Sequence, residues 1–354
     1  MNVTNLTNNT IGQYEGGAHD NIKMQVQYVL YVYILPFIVF IGLIGNFTSI
    51  IVILADKQMR NVSSSIYLMS VLASDTGMLF SLFLVWLESL GYPINHLPVV
   101  CRANVYLTYV FGFLSIWYVV CITVETFITI CHPTKIKQMC TLFRARAVAV
   151  VLLLTALVLY ITSPIITEVQ PVTYPSVNRT IMQCKTRAEF QRHEKTVSYV
   201  DTVLTLLVPM TLLVILLTLM TLSIIQSIQK KQQRSIKRNV EGGGDKGGSF
   251  SRKLPQVRVA KMLYILSVSV VVLNAPSHVL RLKFMFAQTQ HLGDAEGLLH
   301  LILLFVSYTS FSVKFFICIG CSKNFRKLFL NSCSCGYGKL KYRSVPQQTM
   351  ETAA

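Results

Sequence analysis

The sequence predicts an all-α protein, a bundle of seven transmembrane helices followed by a short amphipathic eighth helix. Three observations predict it. Seven apolar runs follow one another at residues 28–54, 65–90, 101–130, 147–168, 197–225, 259–284 and 297–320. Each reaches the roughly 20 residues that match about 30 Å of hydrocarbon. Hydrophobic residues make up 53% of the 354-residue chain and charged residues 13%, against roughly 25% charged in soluble proteins. The basic residues gather in alternate connections between the runs. The loops leave no room for a further globular domain. Residues 1–27 are therefore expected to form an extracellular glycosylated segment, 28–320 the transmembrane domain, and 321–354 a cytoplasmic amphipathic helix and tail.

Asn2, Asn5 and Asn8 each stand in an Asn-x-Thr acceptor, and Asn178 adds a fourth after run four. Such acceptors are glycosylated only outside the cell. Asn46 lies within run one and Asn61 on the inner side, so neither is expected to be modified. The first 25 residues are polar, which predicts no cleavable leader and makes run one the targeting segment. Lys57 and Arg60 follow run one, and Lys135, Lys137, Arg144 and Arg146 follow run three. Lys230, Lys231, Arg234, Lys237 and Arg238 follow run five, and Lys323, Arg326, Lys327, Lys339, Lys341 and Arg343 follow run seven. Basic residues collect on the cytoplasmic side of membrane proteins, so the C-terminus is expected inside and the N-terminus outside, in the plasma membrane. The net charge of +17 is thus a topology signal and a contact for anionic lipid, and no nucleic-acid partner is expected.

Of nine cysteines, only Cys101 and Cys184 are placed at the outer face. A disulfide between them would tie the loop after run four to the start of run three; two free thiols are the alternative. Runs five and six contain Pro209 and Pro276, which should bend them. Asp75 in run two is an ionisable group at mid-membrane depth, where such groups are costly and functional by default. The stretch Asn324–Leu330 is the candidate eighth helix. Cys333 and Cys335 beyond it are palmitoylation candidates, with unmodified thiols the alternative. Glu241–Gly248 reads as a flexible linker. No nucleophile–base constellation and no metal-ligand spacing appears, so no enzyme, metal or cofactor is expected. The lack of an inverted repeat argues against a transporter.

Several positions form one pattern: Gly45-Asn46 in run one, Leu72-Ala73-Ser74-Asp75 in run two, Glu125-Thr126-Phe127 at the end of run three, Pro209 in run five, Leu273-Asn274-Ala275-Pro276 in run six, and Asn324-Phe325-Arg326 after run seven. Over residues 28–330 the chain resembles a rhodopsin-like (class A) G-protein-coupled receptor. The strings Leu273–Arg281 and Cys140–Val148 resemble invertebrate peptide receptors of the FMRFamide type. The resemblance implies an extracellular peptide ligand and a heterotrimeric G protein as partners. It also implies that Asp75, with Ser115, stands where the family binds a sodium ion.

The departures from the family pattern are specific. Glu125, Thr126 and Phe127 stand at the G-protein side where the family has Asp/Glu-Arg-Tyr, so Thr126 replaces the arginine. Asn274 stands at the toggle tryptophan, Leu217 at the tyrosine of span five, and Lys314-Phe315-Phe316-Ile317-Cys318 at Asn-Pro-x-x-Tyr. A lone lysine at mid-span costs about 2.5–3.5 kcal/mol, so Lys314 needs a partner. The resemblance puts Asp75 and Lys314 on one internal cavity and predicts an ion pair with the ammonium in the sodium position; the alternative is a lysine that snorkels to the inner face. An opsin is excluded, because Tyr308 stands at the retinal-binding lysine. Lys314 lies six residues later, about 9 Å along a helix.

Thr108 falls where amine receptors carry an aspartate, which argues against a small amine. The outer residues Trp86, Glu88, Tyr109, Tyr199, Asp201, His278, Arg281 and Tyr308, with Lys283 at the rim, mix aromatic and charged groups. That mixture suits a peptide, with Arg281 gripping a carboxylate or carbonyl; anchoring at the headgroup level is the other reading. Thr173, Tyr174 and Met182 are expected in a lid or hairpin. Function is then expected to be a neuropeptide receptor that signals through a G protein, the alternatives being a non-signalling decoy, scavenger or dimer partner and a receptor for a lipid.

Overall fold

A computed structural model describes residues 18–174, 179–240, 255–287, 294–321, 325, 326, 329 and 330. Within it, seven helices are long and apolar enough to cross a membrane: α1 (Met24–Ala55), α2 (Ser63–Ser89), α3 (Pro98–Cys131), α4 (Leu142–Ile166), α5 (Ala188–Lys230), α6 (Val259–Phe284) and α7 (Ala295–Cys321). An antiparallel hairpin, β1 (Thr167–Tyr174) and β2 (Arg179–Thr186), joins α4 to α5 with Thr167 opposite Thr186 and Tyr174 opposite Arg179.

The apolar runs locate the helices, and the helices overrun them. Helical backbone begins at Ala18, inside the segment expected to be a tail. Around the fifth apolar run it begins at Ala188 and continues to Val240. Hydropathy measures the length matched to hydrocarbon, whereas the backbone ladder can continue wherever side chains are solvated. The fourth run shows the opposite. Its regular helix covers Leu142–Leu159, a separate turn Ser163–Ile166 carries Pro164, and Thr167 already opens the hairpin. At its start, Thr141 caps the helix by accepting the Arg144 amide at 3.4 Å. Of the candidate eighth helix, Phe325, Arg326, Phe329 and Leu330 are described and helical. Phe329 meets the Phe315 ring at 5.6 Å, and the rest of that stretch lies outside the described residues.

The burial pattern is that of a bundle immersed in lipid. Large apolar side chains face outward, Phe37 and Ile44 at 66% and 67% exposure, while Asn46 and Asp75 are fully buried. Lipid solvates leucine as well as a core does, so polar contacts and close packing hold such helices together. The central helix is α3, which touches α2, α4, α5 and α6; α7 packs on α6 and α1 and closes the ring. The α1–α7 seam is closely packed. A Cβ on Gly42 would lie 2.5 Å from Ser312 Oγ, and one on Gly45 2.8 Å from Phe315. Across it, Ser312 donates to the Ile38 carbonyl at 2.7 Å, and Asn46 Nδ2 to the Phe311 carbonyl at 3.2 Å.

Besides Pro164 in α4, prolines stand within α1, α5 and α6, and in these three a neighbour supplies a donor beside the proline. Wide π-turns at Val29–Ile34 and Val203–Leu207 precede Pro36 and Pro209. A proline cannot donate to the carbonyl four or five residues back. For Pro36 the four-back carbonyl is Val32, and it accepts the Trp86 indole N–H at 3.3 Å. For Pro209 the five-back carbonyl is Leu204, and it accepts the Trp117 indole at 2.9 Å. In α6, Ser307 Oγ reaches the Leu273 carbonyl, three residues before Pro276, at 3.4 Å. The chain has two tryptophans, and both serve this role. Neighbouring side chains are what make proline tolerable inside a membrane.

Candidate functional site

The bundle opens toward the hairpin as a cavity of about 400 Å³ between α3, α5, α6 and α7, within the usual range for ligand pockets. Helix periodicity builds its walls. Thr108, Tyr109, Gly112 and Phe113 project from α3, Asp201 and Thr205 from α5, Asn274, Ser277, His278 and Arg281 from α6, and His300, Ser307, Tyr308 and Phe311 from α7. Within each helix these residues recur at spacings of three or four, which places them on one face.

The charge at the open end is set by Asp201 and Arg281. Arg281 Nη2 donates to Asp201 Oδ2 at 3.2 Å, and the Tyr160 hydroxyl to Asp201 Oδ1 at 2.7 Å. Tyr160 stacks on Tyr109 at 5.3 Å between ring centroids. Asp201 is buried, while Arg281 keeps 42% of its side chain exposed. The pair thus ties α5 to α6 and leaves guanidinium donors facing the cavity.

The inner end holds a second pair. Lys314 Nζ donates to Asp75 Oδ2 at 2.5 Å and to the Ser310 carbonyl at 3.0 Å, and Ser115 Oγ donates to Asp75 Oδ1 at 2.6 Å. The ammonium lies 5.7 Å from the centre of the Phe311 ring. Both members are excluded from solvent, and the lysine turns inward rather than toward a bundle end. Ser115, Ser310 and Lys314 border the cavity.

Six of the outer residues singled out in the sequence share this cavity: Thr108, Tyr109, Asp201, His278, Arg281 and Tyr308. Four stand elsewhere. Trp86 is committed to the Val32 carbonyl and packs edge-on against Phe40. Glu88 accepts from Asn95 Nδ2 at 2.6 Å with His96 Nε2 at 3.9 Å. Tyr199 is half exposed. Lys283 pairs with Glu296 at 2.7 Å on the rim. Sequence reading did not single out Phe113, Thr205, Ser277, His300, Ser307 or Phe311. Helical spacing was the available signal, since Phe113 follows Tyr109 by one turn and Thr205 follows Asp201 by one turn.

A disulfide joins Cys101 at the start of α3 to Cys184 in β2, so the hairpin is tethered over the bundle. Beneath it lies a second cavity of about 500 Å³, lined in part by Lys185, Glu194 and Lys195 and sharing Tyr109 with the first. Met182 is partly exposed; the side chains of Thr173 and Tyr174 lie outside the described residues.

At the opposite end of the bundle, Glu125 is buried and accepts from Ser64 Oγ at 2.5 Å. Thr126 donates to the Ile122 carbonyl of its own helix at 2.7 Å, and Phe127 meets the His132 ring. Helices here are joined by hydroxyls. Thr123 Oγ1 and Ser267 Oγ are 2.8 Å apart between α3 and α6, and Thr221 Oγ1 and the Tyr264 hydroxyl 2.7 Å apart between α5 and α6. Asn2, Asn5, Asn8 and Asn178, Cys333 and Cys335, and the linker at 241–248 lie outside the described residues.

The model of the 7 transmembrane receptor (rhodopsin family) matches residues 45–313 of the chain. Similar curated proteins include the neuromedin U receptor homolog nmur-2 of Caenorhabditis elegans, 33% identical over 113 residues, 31% of this chain and 28% of that protein. The thyrotropin-releasing hormone receptor of Gallus gallus is 30% identical over 119 residues, 31% of this chain and 28% of the relative. Lysophosphatidic acid receptor 6 of Gallus gallus is 29% identical over 133 residues, 37% of this chain and 42% of the relative. The matches thus span less than half the length of each of these relatives.

Proposed function

The chain belongs to the rhodopsin family of seven-transmembrane receptors, and from that premise we propose that it binds an extracellular peptide in the hairpin-end cavity and signals to a heterotrimeric G protein at the opposite end. In this reading it is a plasma-membrane protein with the hairpin and N-terminus outside. The observation that carries the ligand reading is the cavity itself. It combines an open guanidinium at Arg281 with aromatic and hydroxyl walls beneath a tethered hairpin. The names of the neuromedin U and thyrotropin-releasing hormone receptors favour a peptide, as does the resemblance to FMRFamide-type receptors. The likeness to a lysophosphatidic acid receptor keeps a lipid as the competing ligand class.

A second reading rests on Thr126. It stands where the family presents an arginine to the G protein, and its hydroxyl is spent on its own helix. A receptor built this way could capture ligand without activating a G protein. One experiment separates the readings. The receptor is expressed in cells and exposed to a peptide library and to lysophospholipids, with G-protein activation and internalisation of labelled ligand read together. Activation by a peptide is the expected result. Internalisation without activation identifies a decoy, and a response to lysophospholipid alone removes the peptide reading. Gain of signalling in Thr126→Arg would point the same way as a decoy result.

A further inference from the structure

Charge balance at the inner end of the cavity constrains what can reach it. A lysine ammonium has three N–H donors. One is taken by Asp75 and one by the Ser310 carbonyl. Asp75 has both oxygens engaged, by Lys314 and by Ser115. Lys314 borders the cavity and Asp75 does not. We propose that Lys314 is a ligand contact as well as an internal counter-ion, and that it presents its remaining N–H to an uncharged carbonyl, an amide by preference. This rests on the reading of the cavity as the ligand site.

The charge of the arriving group decides the class. A ligand carboxylate at this depth would put two carboxylates on one ammonium. A ligand ammonium would meet Lys314 head-on, and Asp75 does not border the cavity to receive it. Isolated charges are strongly disfavoured in such surroundings. A neutral carbonyl accepts the third N–H and leaves the pair balanced. Asn274 favours an amide in particular. Its Nδ2 donates to the Val270 carbonyl of its own helix at 2.8 Å, so its carbonyl oxygen is the acceptor left to the same cavity. An amide offers a carbonyl to Lys314 and an N–H to Asn274, whereas an acid or an amine offers half of that set or the wrong charge. The site that the family resemblance assigns to a sodium ion is thereby turned into a donor for the ligand.

The test uses three small probes on the purified full-length receptor: N-acetyl-phenylalaninamide, N-acetyl-phenylalanine and phenethylamine. Thermal unfolding is followed as each is titrated into the wild type, Arg281→Ala, and the charge-neutral double variant Asp75→Asn/Lys314→Met. The amide is expected to stabilise the wild type at about tenfold lower concentration than the acid or the amine, the effect of one hydrogen bond. The double variant should lose that preference. If the double variant keeps it, or if the acid or amine matches the amide on the wild type, the inference fails. Equal stabilisation of wild type and double variant, lost in Arg281→Ala, leaves the cavity a ligand site with Lys314 uninvolved. No stabilisation of the wild type by any probe removes both. The wild-type series decides the matter even where the double variant fails to fold.

Discussion

Removing one member of the Asp75–Lys314 pair and removing both are different perturbations. A single deletion leaves a buried charge uncompensated, which typically costs about 3–5 kcal/mol. Lys314→Ala and Asp75→Ala should each lower surface expression sharply, and the double variant should recover part of it. An additive loss in the double variant would show that the two charges stabilise independently. The ammonium stands in the position that the resemblance assigns to sodium, so exchanging sodium for choline at constant ionic strength should leave probe affinity unchanged. Trp86 shows where residue-level reading reached its limit. An aromatic at the outer end of a span suggests a ligand contact, and only its indole partner, the Val32 carbonyl, reveals a packing role. Nothing in the local sequence of α2 records a carbonyl orphaned by a proline in α1.

At the scale of helices, the tryptophan–proline relation makes a specific claim. Trp117→Phe keeps an aromatic ring and removes the donor, leaving the Leu204 carbonyl without its partner. An unsatisfied buried polar group costs about 1–3 kcal/mol, so Trp117→Phe should lower the unfolding temperature more than Trp117→Tyr in a receptor whose α5 is otherwise unchanged. Equal shifts would mean that ring packing, not the hydrogen bond, is what matters. The far end of the bundle makes a second claim. With a threonine in the arginine position, α3 and α6 are held by the neutral Thr123–Ser267 contact. A neutral hydrogen bond contributes about 1 kcal/mol, so Thr123→Val should raise the open population about fivefold. A fluorophore on Lys261→Cys, at an exposed position of α6, would report this without any need for signalling, and an unchanged spectrum would remove the latch. The prolines of α5 and α6 were plain in the sequence. The wide turns before Pro36 and Pro209 were not, because the register a helix adopts there depends on which neighbour can supply a donor.

For the molecule as a whole, the hairpin is the part most dependent on covalent support. Cys101–Cys184 closes a separation of 83 residues, while the bundle beneath is held by its own polar seams. Cys101→Ala/Cys184→Ala should therefore speed amide exchange in β1 and β2 and leave α1–α3 protected. Loss of protection throughout the bundle would instead make the bridge a condition of folding. The seven spans and the ionisable groups within them were determined by the sequence alone, because apolar length and charge placement are local properties of a chain entering a bilayer. Which face of each helix points inward was decided only in the tertiary structure. Lipid and protein interior are equally apolar, so hydropathy carries almost no signal that separates Phe37, facing lipid, from Phe113, facing the cavity. Close approach at Gly42 and Gly45, donors aimed at proline turns and the meeting of Asp75 with Lys314 set those faces. With them were settled the walls of the cavity, the departure of Trp86 from it and the arrival of Lys314 at its floor.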